Sequence, residues 1–182
     1  MDLLDLQGEQ LYFDEPVPEQ VTELLLRAAA AYGEGQSENL LLRAFFYAPD
    51  NLSVLVALYR SYFYQHRLED ALQVAQRAVQ VTAQRLELPG DWRKVDMAYF
   101  SEALFKSMGL LRFYLIALKA EAYLYLRLGQ IEEGRERLQK VSELDSRDHF
   151  GAGALLDMLD KSRGLSVVKT EERVEAQEVK HV

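Results

Sequence analysis

Side chains do chemistry when acids, bases, nucleophiles or metal ligands converge, and this 182-residue chain offers few that could. Its three histidines, His66, His149 and His181, fall in a turn, beside a helix cap and in a charged tail. None has a second ligand at helical spacing, so each reads as a surface residue rather than a zinc ligand. Glu132-Glu133 and Glu171-Glu172 are adjacent on helix surfaces, point in different directions and make poor acid/base partners. The ten glycines are scattered, and Gly151-Ala152-Gly153 follows no strand, so no loop is built to cradle phosphate. With no cysteine there is no thiolate metal site, disulfide framework or cysteine nucleophile. The expectation is a non-enzyme without metal or cofactor.

The elements that would position a binding surface are easier to read. Apolar residues make up 49% of the chain, enough for one domain with a core. Only four prolines occur, and no run of Val, Ile or Thr alternates with polar residues, which predicts an all-α protein. Residues 51–78 read as a hairpin of two amphipathic helices. Leu52, Leu55, Leu58, Tyr59 and Tyr62 form one stripe, and Leu68, Ala71, Leu72, Ala75, Ala78 and Val79 form the other. Small residues on the second helix let its partner approach closely.

The same pattern recurs. Shifted back by 34 residues it meets Val21, Leu24, Ala28, Ser37, Leu41 and Ala44, followed by Pro49, and it returns as Leu118, Ala122, Tyr125, Gly134, Leu138 and Val141. These positions resemble the tetratricopeptide (TPR) repeat, with Tyr59 bulkier than the small residue usual there. The resemblance implies a helical-hairpin solenoid of three repeats, at about 18–51, 52–85 and 115–148, since one hairpin cannot bury its own apolar face. Ser37 is expected to cap the second helix of repeat one, Asn51 the first helix of repeat two, and Gly129 to turn the third hairpin.

Three segments fall outside the repeats. Residues 91–107 are expected to form one inserted helix, capped by Asp91 and carrying Trp92, Val95, Tyr99, Phe100, Leu104 and Phe105, with a break at Ser107-Met108-Gly109. Residues 148–162, begun by Asp148, are expected to be a capping helix. Residues 1–17 form an arm that packs on the first repeat or occupies the groove until a client displaces it, and 164–182 a flexible charged tail.

Charge narrows the partners. The net charge is −8; residues 1–50 hold ten Asp or Glu against Arg27 and Arg43, and the remainder carries nineteen of each sign. An acidic chain without a basic stripe argues against nucleic acid. The most apolar run, 110–128, is interrupted by Arg112, Lys119, Glu121 and Arg127, which argues against a membrane span, and the acidic start lacks an export signal. A cytoplasmic protein is expected.

In a TPR stack the first helix of each repeat lines the groove. Helix geometry puts Ser53, Val56, Arg60, Phe63 and Tyr64 on that face of repeat two, and Ile116, Lys119, Tyr123, Leu126 and Arg127 on that of repeat three. Arg60, Phe63, Tyr64, Lys119, Tyr123 and Arg127 are the predicted protein-binding residues. Aromatic and basic anchors suit an apolar segment with acidic flanks; packing under the insertion or the arm is the competing role for these aromatics. In repeat one the face is Glu19, Thr22, Leu26, Ala29 and Ala30, without the Lys and Asn of a carboxylate clamp.

Two narrower resemblances remain. Size, acidity and three repeats are similar to type III secretion translocator chaperones, although the insertion departs from their even repeats. Residues 43–52 (RAFFYAPDNL), 59–67 (YRSYFYQHR) and 90–93 (GDWR) resemble the nitrogenase-associated factor T-like TPR proteins of nitrogen-fixation gene clusters. That second resemblance implies a chaperone-like accessory factor whose client is the molybdenum-iron protein of nitrogenase, bound during assembly, damage or repair. The competing class is a structural subunit or homodimer paired through the apolar insertion.

Overall fold

The computed structural model describes residues 17–31 and 36–161; the expected N-terminal arm and charged tail lie outside the described residues. Seven α-helices run in order: α1 (Glu19–Ala30), α2 (Ser37–Tyr47), α3 (Leu52–Tyr64), α4 (Leu68–Arg85), α5 (Met97–Lys106), α6 (Met108–Arg127) and α7 (Ile131–Leu144). Residues 152–161 are also helical, and the described residues contain no strand. The described chain is all-α.

Helices pack on their neighbours in sequence, α1 on α2, α2 on α3 and α3 on α4, until α4, which packs directly on α6; α6 then packs on α7. The short α5 stands beside this stack and touches α6. The faces that do this packing carry the periodic residues. Ala71, Ala75 and Ala78 of α4 are buried, and their lack of bulk brings the α4 backbone close to both neighbours. On α6 every residue from Phe113 to Leu118 is buried, because α4, α7 and α5 surround it. Each Leu taken fully from water there contributes about 1.5–3 kcal/mol.

Local capping sets the helix ends. Asn51 Oδ1 accepts the Val54 amide at 3.1 Å, starting α3. The turn after that helix is made at His66, whose φ of 58° lets the Arg67 amide reach back to the Tyr62 carbonyl at 3.0 Å. Histidine thus serves where glycine is usual, and the Arg67 guanidinium locks the turn by bonding Glu38 on α2 and Asp70 on α4 at 2.6 and 2.7 Å. Gly129, at φ 78°, makes the equivalent turn between α6 and α7. Gly134 is needed for a different reason. A Cβ there would lie 2.8 Å from the Ala122 carbonyl and 2.6 Å from Leu126, so only glycine allows the α6–α7 crossing.

The structure corrects several expectations. Ser37 does not cap α2; it is the first residue of that helix, and its hydroxyl donates to the Ala28 carbonyl at 2.9 Å, tying α2 to α1. The insertion is not one helix from Asp91. Asp91 caps a single 3-10 turn, Trp92–Lys94, and Asp96 caps α5 separately by accepting the Ala98 and Tyr99 amides. The break before α6 lies at Ser107, whose extended backbone ends α5 and whose Oγ accepts the Leu110 amide. Gly109 sits inside the first turn of α6 and breaks nothing. The last helix starts at 152 rather than 148, with the Asp148 carboxylate accepting the Gly153 and Ala154 amides across the intervening turn.

Candidate functional site

Three helices create a hollow in the N-terminal half. Between α1, α2 and α3 lies a cavity of about 580 Å³, open to solvent. Leu25, Ala28 and Ala29 of α1 form one wall, Ser53, Ala57, Ser61 and Tyr64 of α3 the other, and Leu41 of α2 part of the lining. The side chains are small because α1 and α3 both alternate Ala or Ser with larger residues along this face. Among the described residues of the lining Arg60 is the one charged residue, half-buried beside the half-exposed Tyr64. An apolar trough with a guanidinium and a phenol at its edge can hold apolar side chains while orienting one acidic or carbonyl group.

From Tyr64 the surface continues as a ladder of rings. The Tyr64 and Phe63 rings meet edge to face at 5.9 Å, Phe63 stacks on the buried Tyr59 at 5.9 Å, and Phe63 meets Tyr123 of α6 at 6.1 Å. Arg127 sits one turn along from Tyr123, with its guanidinium carbon 5.8 Å from the ring and Nη1 donating to the hydroxyl at 3.3 Å. Lys119 lies one turn the other way, its ammonium about 4.0 Å from where a Cβ on Gly151 would stand.

Five of the six predicted site residues therefore follow one another across the face. Arg60 and Tyr64 edge the trough, and Phe63, Tyr123 and Arg127 bridge α3 to α6. Lys119 belongs to the far end, beside the turn before residues 152–161. Two neighbours expected on this face, Val56 and Ile116, are buried in the core instead. On α3 the exposed arc is centred about one residue later, so that Ala57 rather than Val56 lines the trough. On α1 the shift runs the other way: Leu25 and Ala28 line it beside the expected Ala29, while Leu26 points to solvent. Periodicity does not single out Leu41 or Ser61 as lining.

The opposite side of α6 carries a buried ion pair that sequence reasoning did not find. Arg137 Nε donates to Glu121 Oε1 at 2.7 Å, with side chains only 9% and 4% exposed. The guanidinium also bonds the Glu133 carbonyl at 2.8 Å and lies against the rings of Tyr125 and Trp92, at 4.1 and 5.1 Å. Gln76 of α4 donates to the Tyr125 hydroxyl at 2.8 Å, extending the network to a third helix. Burial pushes the Glu121 carboxyl above the usual carboxylate range, and Arg137 and Arg93 pull against that shift. A carboxylate amid the apolar run of α6 was the available signal: it demanded a cationic partner.

Among the described residues no three His, Asp or Glu are grouped to hold a metal ion. His149 Nδ1 lies 2.9 Å from Asp145 Oδ1, while the other Asp145 oxygen accepts the Phe150 amide, so this pair braces the turn after α7. No described helix is long and apolar enough to cross a membrane.

Comparison with known proteins adds one relationship. No family profile matches the chain, and no solved structure matches it. It is 50% identical over 159 residues to the uncharacterized 19.8 kDa protein in the nifW 5′ region of Azotobacter chroococcum mcd 1, a match spanning 87% of this chain and 89% of that protein. At that identity and coverage, the chain belongs to the family of the Azotobacter nifW 5′-region protein.

Proposed function

We propose that the chain is a non-catalytic accessory factor of the TPR type, which holds a segment of a client protein in the trough between α1 and α3 and along the ring ladder to α6. The observation that carries this reading is the continuity of an apolar trough with Arg60, Tyr64, Phe63, Tyr123 and Arg127 in one surface. Preformed helices present that surface at little entropic cost, and Tyr and Arg are the residue types that dominate such interfaces. The order of helix packing, with α4 passing directly to α6, supports three stacked hairpins bearing a side insertion, and residues 152–161 serve as the cap.

The client we assign is the molybdenum-iron protein of nitrogenase, met in the cytoplasm. Support comes from the relative whose name places it beside nifW, and from the cationic side chains Arg60, Lys119 and Arg127 on the face, which suit an apolar segment with acidic flanks. The same neighbourhood disfavours a type III secretion translocator as client.

Purified full-length chain titrated against purified molybdenum-iron protein tests the reading, with Arg60→Ala/Tyr64→Ala as the altered face. Binding lost in the double variant, with helicity retained, is the expected result. Equal binding by both proteins would overturn the assignment of the site, and no binding by either would overturn the client.

A further inference from the structure

α5 is unnecessary to the stack, since α4 reaches α6 without it, yet it is held firmly in place. Arg137 stacks on Trp92, Arg93 bonds Glu136 at 3.0 Å, and Lys140 donates to the Val95 carbonyl at 3.2 Å, pinning the segment before α5 to α7. Lys106 at its other end bonds Glu87 after α4. What this anchoring displays is apolar. Met97, Leu104, Phe105 and Met108 are exposed, and Phe105 is 91% exposed, the most of any large apolar residue in the described chain.

Beside this stripe is a second cavity of about 600 Å³, walled by Phe100, Leu104, Leu111, Leu144 and Phe150, with Arg112 and Arg147 in its lining together with Asp145, whose carboxylate is already engaged by His149 and the Phe150 amide. The surface thus carries a knob and a hollow side by side. Around α5, Phe105 follows Leu104 by about 100° and Glu102 follows Phe105 by about 60° in the same sense, at ~3.6 residues per turn. The hollow, the Phe105 knob and Glu102 therefore follow one another around α5, with Arg112 and Arg147 in the hollow's lining. Among the described residues, Arg112, Arg147 and Glu102 form no ion pair.

We infer that two copies of this chain pair through α5 about a two-fold axis, the Phe105 ring of each entering the Leu104–Phe150 hollow of the other. A two-fold interface needs one patch that complements itself, so that knob meets hollow twice. The rotation also brings Glu102 of each copy towards the other's hollow, whose lining holds Arg112 and Arg147. Net charge does not oppose this. The acidic excess is confined to residues 1–50, while the rest of the chain, where α5 lies, is balanced in sign. The exposed Phe105 ring, of a kind that buries ~150–250 Å² when fully covered, and Met97, Leu104 and Met108 together offer on the order of 400 Å² per copy. That is about half the ~800 Å² per partner of a standard interface, and Phe100, Leu111, Leu144 and Phe150 of the hollow supply further apolar area. This surface is separate from the trough between α1 and α3 and stands whether or not a client binds there.

Sedimentation equilibrium of the full-length chain over a concentration series tests the pairing. The expected mass is twice 20.9 kDa, with Phe105→Asp weakening association ~30-fold or more, as loss of a central anchor does. Phe46→Asp, on an equally bare aromatic of α2, should leave the dimer intact. Glu102→Arg should weaken pairing and Glu102→Arg/Arg112→Glu/Arg147→Glu should restore it, which decides the matter if Phe105→Asp loses helicity by circular dichroism. A wild-type monomer at every concentration, a dimer indifferent to Phe105→Asp, dissociation by Phe46→Asp to the same degree, or failure of the charge exchange would overturn the inference.

Discussion

Phe63 on α3 and Tyr123 on α6 place their rings 6.1 Å apart, so the central hairpin and the one after the insertion share a single aromatic step. The chain between them runs through α4 and the whole inserted segment. Because Phe63 also stacks on the buried Tyr59, the step is anchored in the core at one end and open to solvent at Tyr64 on the other. Core and surface roles should therefore separate between two adjacent residues.

Phe63→Ala is expected to cost about 2–4 kcal/mol of unfolding free energy, below the range for a fully buried ring because Phe63 is half-buried. Tyr64→Ala should stay within about 0.5 kcal/mol of wild type. Urea denaturation of the two variants measures both. Equal losses would mean that Tyr64 is also structural and unsuited to probe binding.

The Glu121–Arg137 pair predicts a particular pH dependence. Burial raises the folded carboxyl above its unfolded value, so its ionisation opposes folding at neutral pH and ceases to do so as pH falls through the folded pKa towards 4.5. Glu121→Gln lacks that titration. The stability of wild type relative to the variant should rise as pH is lowered across this window, as chemical denaturation at several pH values would read. A difference that moves the other way would mean that Arg137 dominates over burial.

Gly134→Ala should destabilise the protein by about 1–3 kcal/mol even though alanine is the better helix former by about 1 kcal/mol. The added methyl meets the Ala122 carbonyl, which is backbone and cannot swing aside. Thermal unfolding measures it. A raised melting temperature would show that α6 and α7 have room to part.

What could be read from the sequence was local. Asn51 announced a helix start because a cap acts within a few residues of itself, Asp148 announced a cap but not that its helix begins only at 152, and Gly129 announced a turn because positive φ suits it. Asp91 and Asp96 are both good caps five residues apart, and one inserted helix from the first was the simpler expectation; the extended backbone at Val95 and Asp96 divides the segment. Ser37 looked like a cap, but the Ala28 carbonyl that claims its hydroxyl is set by how α2 packs on α1. The trough was displaced by one residue for a related reason. α3 packs on both α2 and α4, and that wide buried arc takes Val56 out of the groove and leaves Ala57 in it. The partner of Glu121 lies on another helix, where no local pattern points.

The most direct measurement is the affinity of the full-length chain for purified molybdenum-iron protein of nitrogenase, by biolayer interferometry, beside the Arg60→Ala/Tyr64→Ala variant. Saturable binding that weakens at least ~30-fold in the variant, with its melting curve unchanged, is the predicted result. Binding that ignores the double substitution, or no binding by the wild-type chain, would contradict the account.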